Sequence, residues 1–277
     1  MTHDLAVCSW SLQPDSPQQL VERVSACDLT AIQLHLDPLR SGDWSEHDFV
    51  ARLSDAGIRI ASGMMTTQGE DYSTLETIRE TGGLRPDATW PTNLHAAEQN
   101  AELAKRIGIS LVTLHAGFIP HDQEDPEYPR IIERIRTVAD VFSAHGIRLG
   151  LETGQETAAS LLDALAAIDR DSVGVNFDPA NMILYAMGDP VEALDRLAPH
   201  VVQIHVKDAI ATDTPGRWGT EVPAGTGQVD WPAFFAVVRD HLPGIPLVIE
   251  REAGDRRIED IRSAASLVQQ HAEVIRG

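Results

Sequence analysis

The chain has 277 residues, 43% of them hydrophobic, enough to bury a large core in one α/β domain. Its 42 acidic residues against 22 lysines and arginines give a formal net charge of -20, which leaves no basic stripe for a nucleic-acid backbone. The opening MTHDLAVCSWSL has neither a basic n-region nor a long apolar h-region, and no stretch approaches the roughly 18 apolar residues of a membrane span, so a cytoplasmic protein without membrane contact is expected.

In chain order, short apolar runs that read as strands lie at 5–9, 31–36, 58–63, 110–115, 147–152, 173–178, 201–206 and 245–250. Helical patterns separate them, among them SPQQLVERVSAC, SEHDFVARLSDAG, NLHAAEQNAELAKRIG and EYPRIIERIRTVADVFSAHG, several opening on Ser or Asn and closing at Gly. Strand then helix, eight times over, predicts a single (β/α)8 TIM barrel spanning 1–277. Cys8 and Cys27 have no metal-like spacing and are expected to be reduced and buried. Two connections exceed what a plain barrel needs, 66–91 after the third strand and 209–230 after the seventh. Both fall on the face where barrel enzymes keep their sites, and Trp90 and Trp218 give each an apolar anchor.

Four of the strand runs end on or carry a metal-ligand side chain: Glu152 closes IRLGLE, Asp178 closes VGVNFD, His205 lies in VVQIHVKD and Glu250 closes PLVIE. Charges at buried strand ends are costly unless paired, and one divalent metal would pair with all four. The gaps of 26, 27 and 45 residues each accommodate a helical return to the next parallel strand, so the four ends converge on one barrel face. One imidazole with three carboxylates is a hard, oxygen-rich donor set that suits Mn2+ or Mg2+, with Co2+ or Zn2+ as alternatives.

Period two along the strands adds neighbours. Gln203, His205 and Lys207 point one way, and so do Thr113 and His115, which brings Lys207 and His115 to the site. Lys207 is one of two lysines in an arginine-rich chain, which suggests a proton-transferring role, with a rim salt bridge as the competing explanation. Gln155 and Asn181 are candidate hydroxyl-binding amides, His35 a weaker candidate, and Trp10 and Met64 an apolar wall. The stretch AGTGQ at 224–228, with Arg217 in the same loop, is a weak phosphate cradle.

The segments LETGQET, NFDPANMIL, IHVKDA, PAGTGQVDW and VIERE, in that order over 151–252, resemble the xylose isomerase-like TIM-barrel superfamily of sugar isomerases and epimerases. CSWSL, GMMTT and LHAG match it more loosely in the first half. The resemblance implies that Glu152, Asp178, His205 and Glu250 are metal ligands, commonly of Mn2+. It further implies that Glu152 and Glu250 are the acid/base pair that takes a proton from a carbon next to a carbonyl and returns it. The superfamily's DNA-repair endonuclease branch needs further histidines, where this chain has Asn181 and QVDW.

The expected function is therefore a metal-dependent sugar isomerase or epimerase acting through an enediolate on a small sugar or sugar derivative. A dehydratase or lyase acting on a keto-inositol or 3-keto-glycoside is one alternative, and a non-catalytic metal-binding barrel subunit is another. A homo-oligomer is the general expectation for such barrels.

Overall fold

The computed structural model describes residues 5–214 and 216–271. Among them eight parallel strands close into a barrel. These are β1 (Leu5–Cys8), β2 (Ala31–His35), β3 (Arg59–Met64), β4 (Leu111–Leu114), β5 (Arg148–Glu152), β6 (Val173–Phe177) and β7 (Val201–Val206); then, after a short antiparallel hairpin of β8 (Asp208–Ile210) and β9 (Thr220–Val222), comes β10 (Leu247–Ile249). The last strand pairs with the first, Leu5 opposite Leu247 and Val7 opposite Ile249, and so closes the ring. Each expected strand is present, its ends displaced by at most two residues. Among the described residues no helix is long and apolar enough to cross a membrane.

Local sequence explains the helices between the strands. Ser16 and Ser45 accept hydrogen bonds from the backbone N–H of Gln19 and Asp48, starting helices Pro17–Ala26 and Glu46–Asp55. The apolar stripes of the outer helices pack on the barrel, with Leu20, Val24, Ile135, Phe142, Phe234 and Phe235 fully buried. Cys8 and Cys27 are buried free thiols.

The barrel interior is narrow at its base. Ala6, Ala31 and Val248 form a small apolar cluster there, topped by Cys8, whose thiol lies 3.5 Å from Gln33 Oε1. A Cβ on Gly174 would lie 2.4 Å from Val202 Cγ1, so that position admits no side chain. Above this layer the interior turns polar: Gln33, Ser62, Thr113, Asn176, Gln203 and His205 are all buried. The strand register shifts between Ile32 and Gln33 and between Val175 and Asn176, immediately before two of these residues. Such irregularities re-aim side chains and occur beside functional sites.

The two long connections fold over the C-terminal ends of the strands. The segment 66–91 carries helix Leu75–Thr81, capped by Thr74. It lies directly on the end of β4, where Leu84 N–H donates to Ala116 carbonyl at 2.9 Å and a Cβ on Gly83 or Gly117 would meet the opposing backbone at 2.2 Å. The segment 209–230 forms the hairpin, which its Thr-, Gly- and Pro-rich sequence did not announce because its strands are only three residues long. Trp218 joins the two connections, its indole N–H donating to Tyr72 carbonyl at 3.1 Å and its ring meeting Tyr185 edge-on at 4.9 Å.

Candidate functional site

Glu152 is the last residue of β5, Asp178 follows β6, His205 lies near the end of β7 and Glu250 follows β10. The fold brings these four together: one donor atom from each lies within 4.8 Å of all the others. His205 Nδ1 is 3.2 Å from Glu250 Oε2, 3.5 Å from Glu152 Oε1 and 3.6 Å from Asp178 Oδ2. Asp178 does two jobs. Its Oδ1 caps helix Pro179–Leu184 by accepting from Asn181 N–H at 3.0 Å, while Oδ2 points into the cluster. Asp178 Oδ2 and His205 Nδ1 are both buried and have no hydrogen-bond partner. Buried polar atoms are rarely left so, and two of them facing two further carboxylates mark a place for a cation.

The hydrogen-bond network assigns the tautomer of His205. Met64 Sδ can only accept, so the Thr113 hydroxyl donates to it at 3.3 Å and accepts in turn from Gln33 Nε2 at 2.8 Å. Gln33 Nε2 also faces the Gly63 carbonyl at 3.4 Å, which fixes the amide orientation and leaves Gln33 Oε1 to accept from His205 Nε2 at 2.8 Å. Asn176 Nδ2 also faces His205 Nε2, at 3.1 Å, but the shorter contact is to Gln33 Oε1, which can only accept. With a hydrogen on Nε2, Nδ1 faces the three carboxylates, as a lone pair when a cation is held there and as an N–H when the ring is protonated. A second chain, Ser62 to Gln203 to Asn176, ends with Asn176 Nδ2 donating to Glu152 Oε2 at 3.2 Å. Glu152 Oε1 also accepts from Asn181 Nδ2 at 3.2 Å, and Trp10 Nε1 donates to Glu250 Oε1 at 2.8 Å. Trp10, expected only as an apolar wall, thus holds a carboxylate in place.

Electrostatics favour a positive charge at the centre. Burial opposes an imidazolium at His205, yet Glu250 and Glu152 outweigh it and push the pKa well above the ordinary histidine value. Burial likewise opposes charge on Glu250, but Lys207 and His205 hold it well below the usual carboxylate range. For Glu152, His115 and His205 outweigh burial and lower the pKa. Burial prevails only at Asp178, whose pKa is raised despite Lys207 and His205. A divalent cation satisfies the same field without needing a proton on His205, and the donor set of one imidazole nitrogen and three carboxylate oxygens fits a hard metal.

A cavity of about 630 Å³ opens above the cluster, within the usual range for small-molecule sites. Its aromatic and apolar walls include Trp10, Met64, Tyr72, Tyr185 and Trp218, and its polar lining includes His35, His115, Asn181 and Lys207. Lys207 Nζ is 2.9 Å from Glu250 Oε2 and 2.6 Å from Glu252 Oε2, and His115 Nε2 is 3.5 Å from Glu152 Oε1. Asn181 faces the cavity as the sequence suggested. Gln155 does not; it lies in an adjoining space of about 20 Å³, and its backbone carbonyl accepts from His121. Arg217 is exposed and does not line the cavity. The Gly-rich turn is no phosphate cradle, because Asp208 already accepts from the N–H groups of Gly225, Gly227 and Val229.

Sequence reading missed Glu156, a buried carboxyl beside the site. It accepts from Ile119 N–H at 3.0 Å, and burial pushes its pKa up to about 7, a shift that this hydrogen bond only partly offsets. The folded protein therefore binds more protons than the unfolded chain between the ordinary glutamate pKa and about 7, and stability falls as pH rises through that window. Glu156→Gln keeps the acceptor and removes the charge. Its thermal unfolding should fall less steeply with pH across this window than that of the native protein, with a gain over it at pH 8 of at most about 3 kcal/mol. A variant as pH-sensitive as the native protein would assign the slope to other groups.

Comparison with known proteins follows the same lines. The crystal structure of a xylose isomerase domain protein from Planctomyces limnophilus is 31% identical, covers 92% of this chain and 93% of that one, and superposes with a TM-score of 0.85. The probable L-ribulose-5-phosphate 3-epimerase UlaE of Mycoplasma pneumoniae is 25% identical over 198 residues, 68% of this chain and 61% of the relative. The 3-dehydroshikimate dehydratase of Bacillus anthracis is 27% identical over 134 residues, 43% of this chain and 46% of the relative. The chain thus matches less than two thirds of the length of these curated relatives. Residues 21–276 match the family described as xylose isomerase-like TIM barrel, and the chain belongs to that family.

Proposed function

We propose that this chain is a single-domain, cytoplasmic, divalent-metal-dependent sugar isomerase or epimerase. Glu152, Asp178, His205 and Glu250 are its metal ligands, Mn2+ is the favoured ion, and Mg2+, Co2+ or Zn2+ are alternatives. The observation that carries the reading is the pair of unpartnered buried atoms, Asp178 Oδ2 and His205 Nδ1, enclosed with two further carboxylates, of which Glu250 reaches the lining of a sugar-sized cavity. The similarity to a probable L-ribulose-5-phosphate 3-epimerase supports the type of chemistry.

A bound divalent ion supplies stabilisation of the negative charge that develops on the substrate oxygens. The protein's own groups do the proton transfer. One of Glu152 and Glu250, held ionised by its cationic neighbours, removes the proton from the carbon beside the carbonyl, and the C–H electron pair passes to the carbonyl oxygen as an enediolate forms. In an epimerisation the other, entering the turnover with a proton on its carboxyl, delivers that proton to the opposite face of the carbon, and the two groups leave with their protonation states exchanged. In an isomerisation, the first carboxylate returns its proton to the neighbouring carbon. His115 stands 3.5 Å from Glu152, where it can restore that proton between turnovers. Asn181 and His35 bind substrate hydroxyls, while the aromatic walls exclude water.

A lyase reading has one observation in its favour. Lys207 Nζ stands beside Glu250 and reaches the cavity, where an ammonium can protonate a departing β-hydroxyl. The relationship to a dehydratase is in keeping with it.

The test is proton NMR in D2O with the Mg2+-loaded protein against ketoses, inososes and 3-keto-glycosides. Deuterium entering next to the carbonyl, with an epimer or isomer accumulating, is the expected result; an unsaturated product selects the lyase. Full metal loading without exchange in any compound would leave a non-catalytic metal-binding barrel.

The same reading gives Gln33 a positioning role through His205. Gln33→Met removes the acceptor for Nε2–H, so Mn2+ affinity should fall by about 10–100-fold, whereas Gln33→Glu, which keeps an acceptor, should retain it. Calorimetric titration reads the affinity. An affinity unchanged in Gln33→Met would show that Gln33 does not orient the ring.

A further inference from the structure

We propose that the part of the substrate filling the cavity is uncharged, a free keto-sugar or keto-polyol rather than a sugar phosphate or carboxylate, and that Glu252 is the specificity-determining residue that excludes the anion. This deepens the reading above and rests on it only in taking the cavity as the substrate site.

A phosphate or carboxylate needs a cation or a group of free N–H donors at a fixed place. Here the candidates lie beside carboxylates or outside the cavity. Lys207, 3% exposed, lies between Glu252 at 2.6 Å and Glu250 at 2.9 Å, with Asp178 at 3.7 Å. Arg251, next along the chain from a proposed ligand, is buried against Glu221 at 2.7 Å and Asp260 at 2.9 Å. Of the cavity's two histidines, His115 faces Glu152, and His35, whose Nε2 makes no hydrogen bond, has the Asp37 carboxylate 3.4 Å away, so an anion there meets a charge of its own sign. Arg217 lies outside the lining, and the amides of the Gly-rich turn converge on Asp208. The cavity walls also carry Glu70 and Glu221. An incoming anion therefore meets carboxylates on several sides, in a low-dielectric space where like charges repel strongly.

Glu252 differs from the other carboxylates in its position. Its side chain is 54% exposed on the cavity wall, so it occupies Lys207 on the side from which substrate arrives. Without it, the ammonium becomes available to a substrate anion. Hydroxyl groups, by contrast, find both donors and acceptors among Asn181, His115, Glu221 and Glu252 without adding charge.

The test uses matched pairs on the Mg2+-loaded protein. D-fructose is compared with D-fructose 6-phosphate, and D-ribulose with D-ribulose 5-phosphate, for α-proton exchange. Glucitol and glucitol 6-phosphate, which have no carbonyl, are compared for binding by calorimetry. The neutral member should be preferred by at least ~10-fold in both readouts, and Glu252→Gln should narrow that ratio by at least ~10-fold. Because the native protein alone reports the preference and Glu252→Ala provides a second variant, a failure of one variant to fold leaves the proposal testable. Equal or better handling of the phosphate by the native protein overturns the proposal, as does a ratio unmoved in both folded variants or binding of neither polyol. Neutral preference in binding with no exchange anywhere upholds the substrate class and overturns the proton-transfer reading.

Discussion

Glu250→Gln should lose α-proton exchange by about 10²–10⁴-fold while still folding and still holding metal at reduced affinity. The amide oxygen can take one carboxylate oxygen's place as a ligand, and Trp10 Nε1 still has an acceptor there, but an amide has no useful affinity for a substrate proton. Lys207, now facing Glu252 and Asp178 alone, remains paired. Glu152→Gln should give the same loss on the opposite face of the substrate carbon. The two variants are told apart by which of the two epimers, used as substrate, retains residual exchange in D2O. If exchange persists at the native rate in both, the base is another group, and Lys207 is the next candidate to examine.

His205→Ala should lose metal and turnover together. The ring supplies the cluster's nitrogen donor, and its removal leaves three carboxylates converging on an empty space. Elemental analysis after dialysis against the metal should find well below one equivalent. The stabilisation that saturating Mn2+ gives the native protein, about 4 kcal/mol at a thousandfold excess over Kd, should disappear from thermal unfolding. Lys207→Met separates the roles by keeping the metal and that thermal shift, and it loses turnover outright if Lys207 protonates a departing hydroxyl as in the lyase reading. Normal metal binding by His205→Ala would show that the four residues do not act as one site.

How far the sequence reveals this arrangement depends on the reach of each interaction. The barrel strands are legible because each buries a continuous apolar run, and the four converging residues because each breaks such a run at its end. Lys207 and His115 follow from period two along β7 and β4. Gln33 and Asn176 were not legible, since a lone amide inside an apolar strand says nothing of its partner, and a register shift sits just before each. Glu156 is silent for another reason. Its pKa comes from burial under residues around Ile119, and no local pattern encodes that. Arg217 and the Gly-rich turn misled because composition marks a polar loop but not where its groups point. Asp208, seventeen residues before Gly225, had already claimed the amides.

The contact from Trp10 to Glu250 spans 240 residues and joins the ends of the first and last barrel strands. Of the four converging groups, Glu250 is the last to be synthesised, and its orienting partner among the first. During translation the other three can gather only as an incomplete set, so the site lacks one of its four donors until the ring is shut. Once it is shut, an ion held there would act as a rivet across the seam and resist its reopening from either end. Assembly of the site therefore reports that the whole circle of strands has formed.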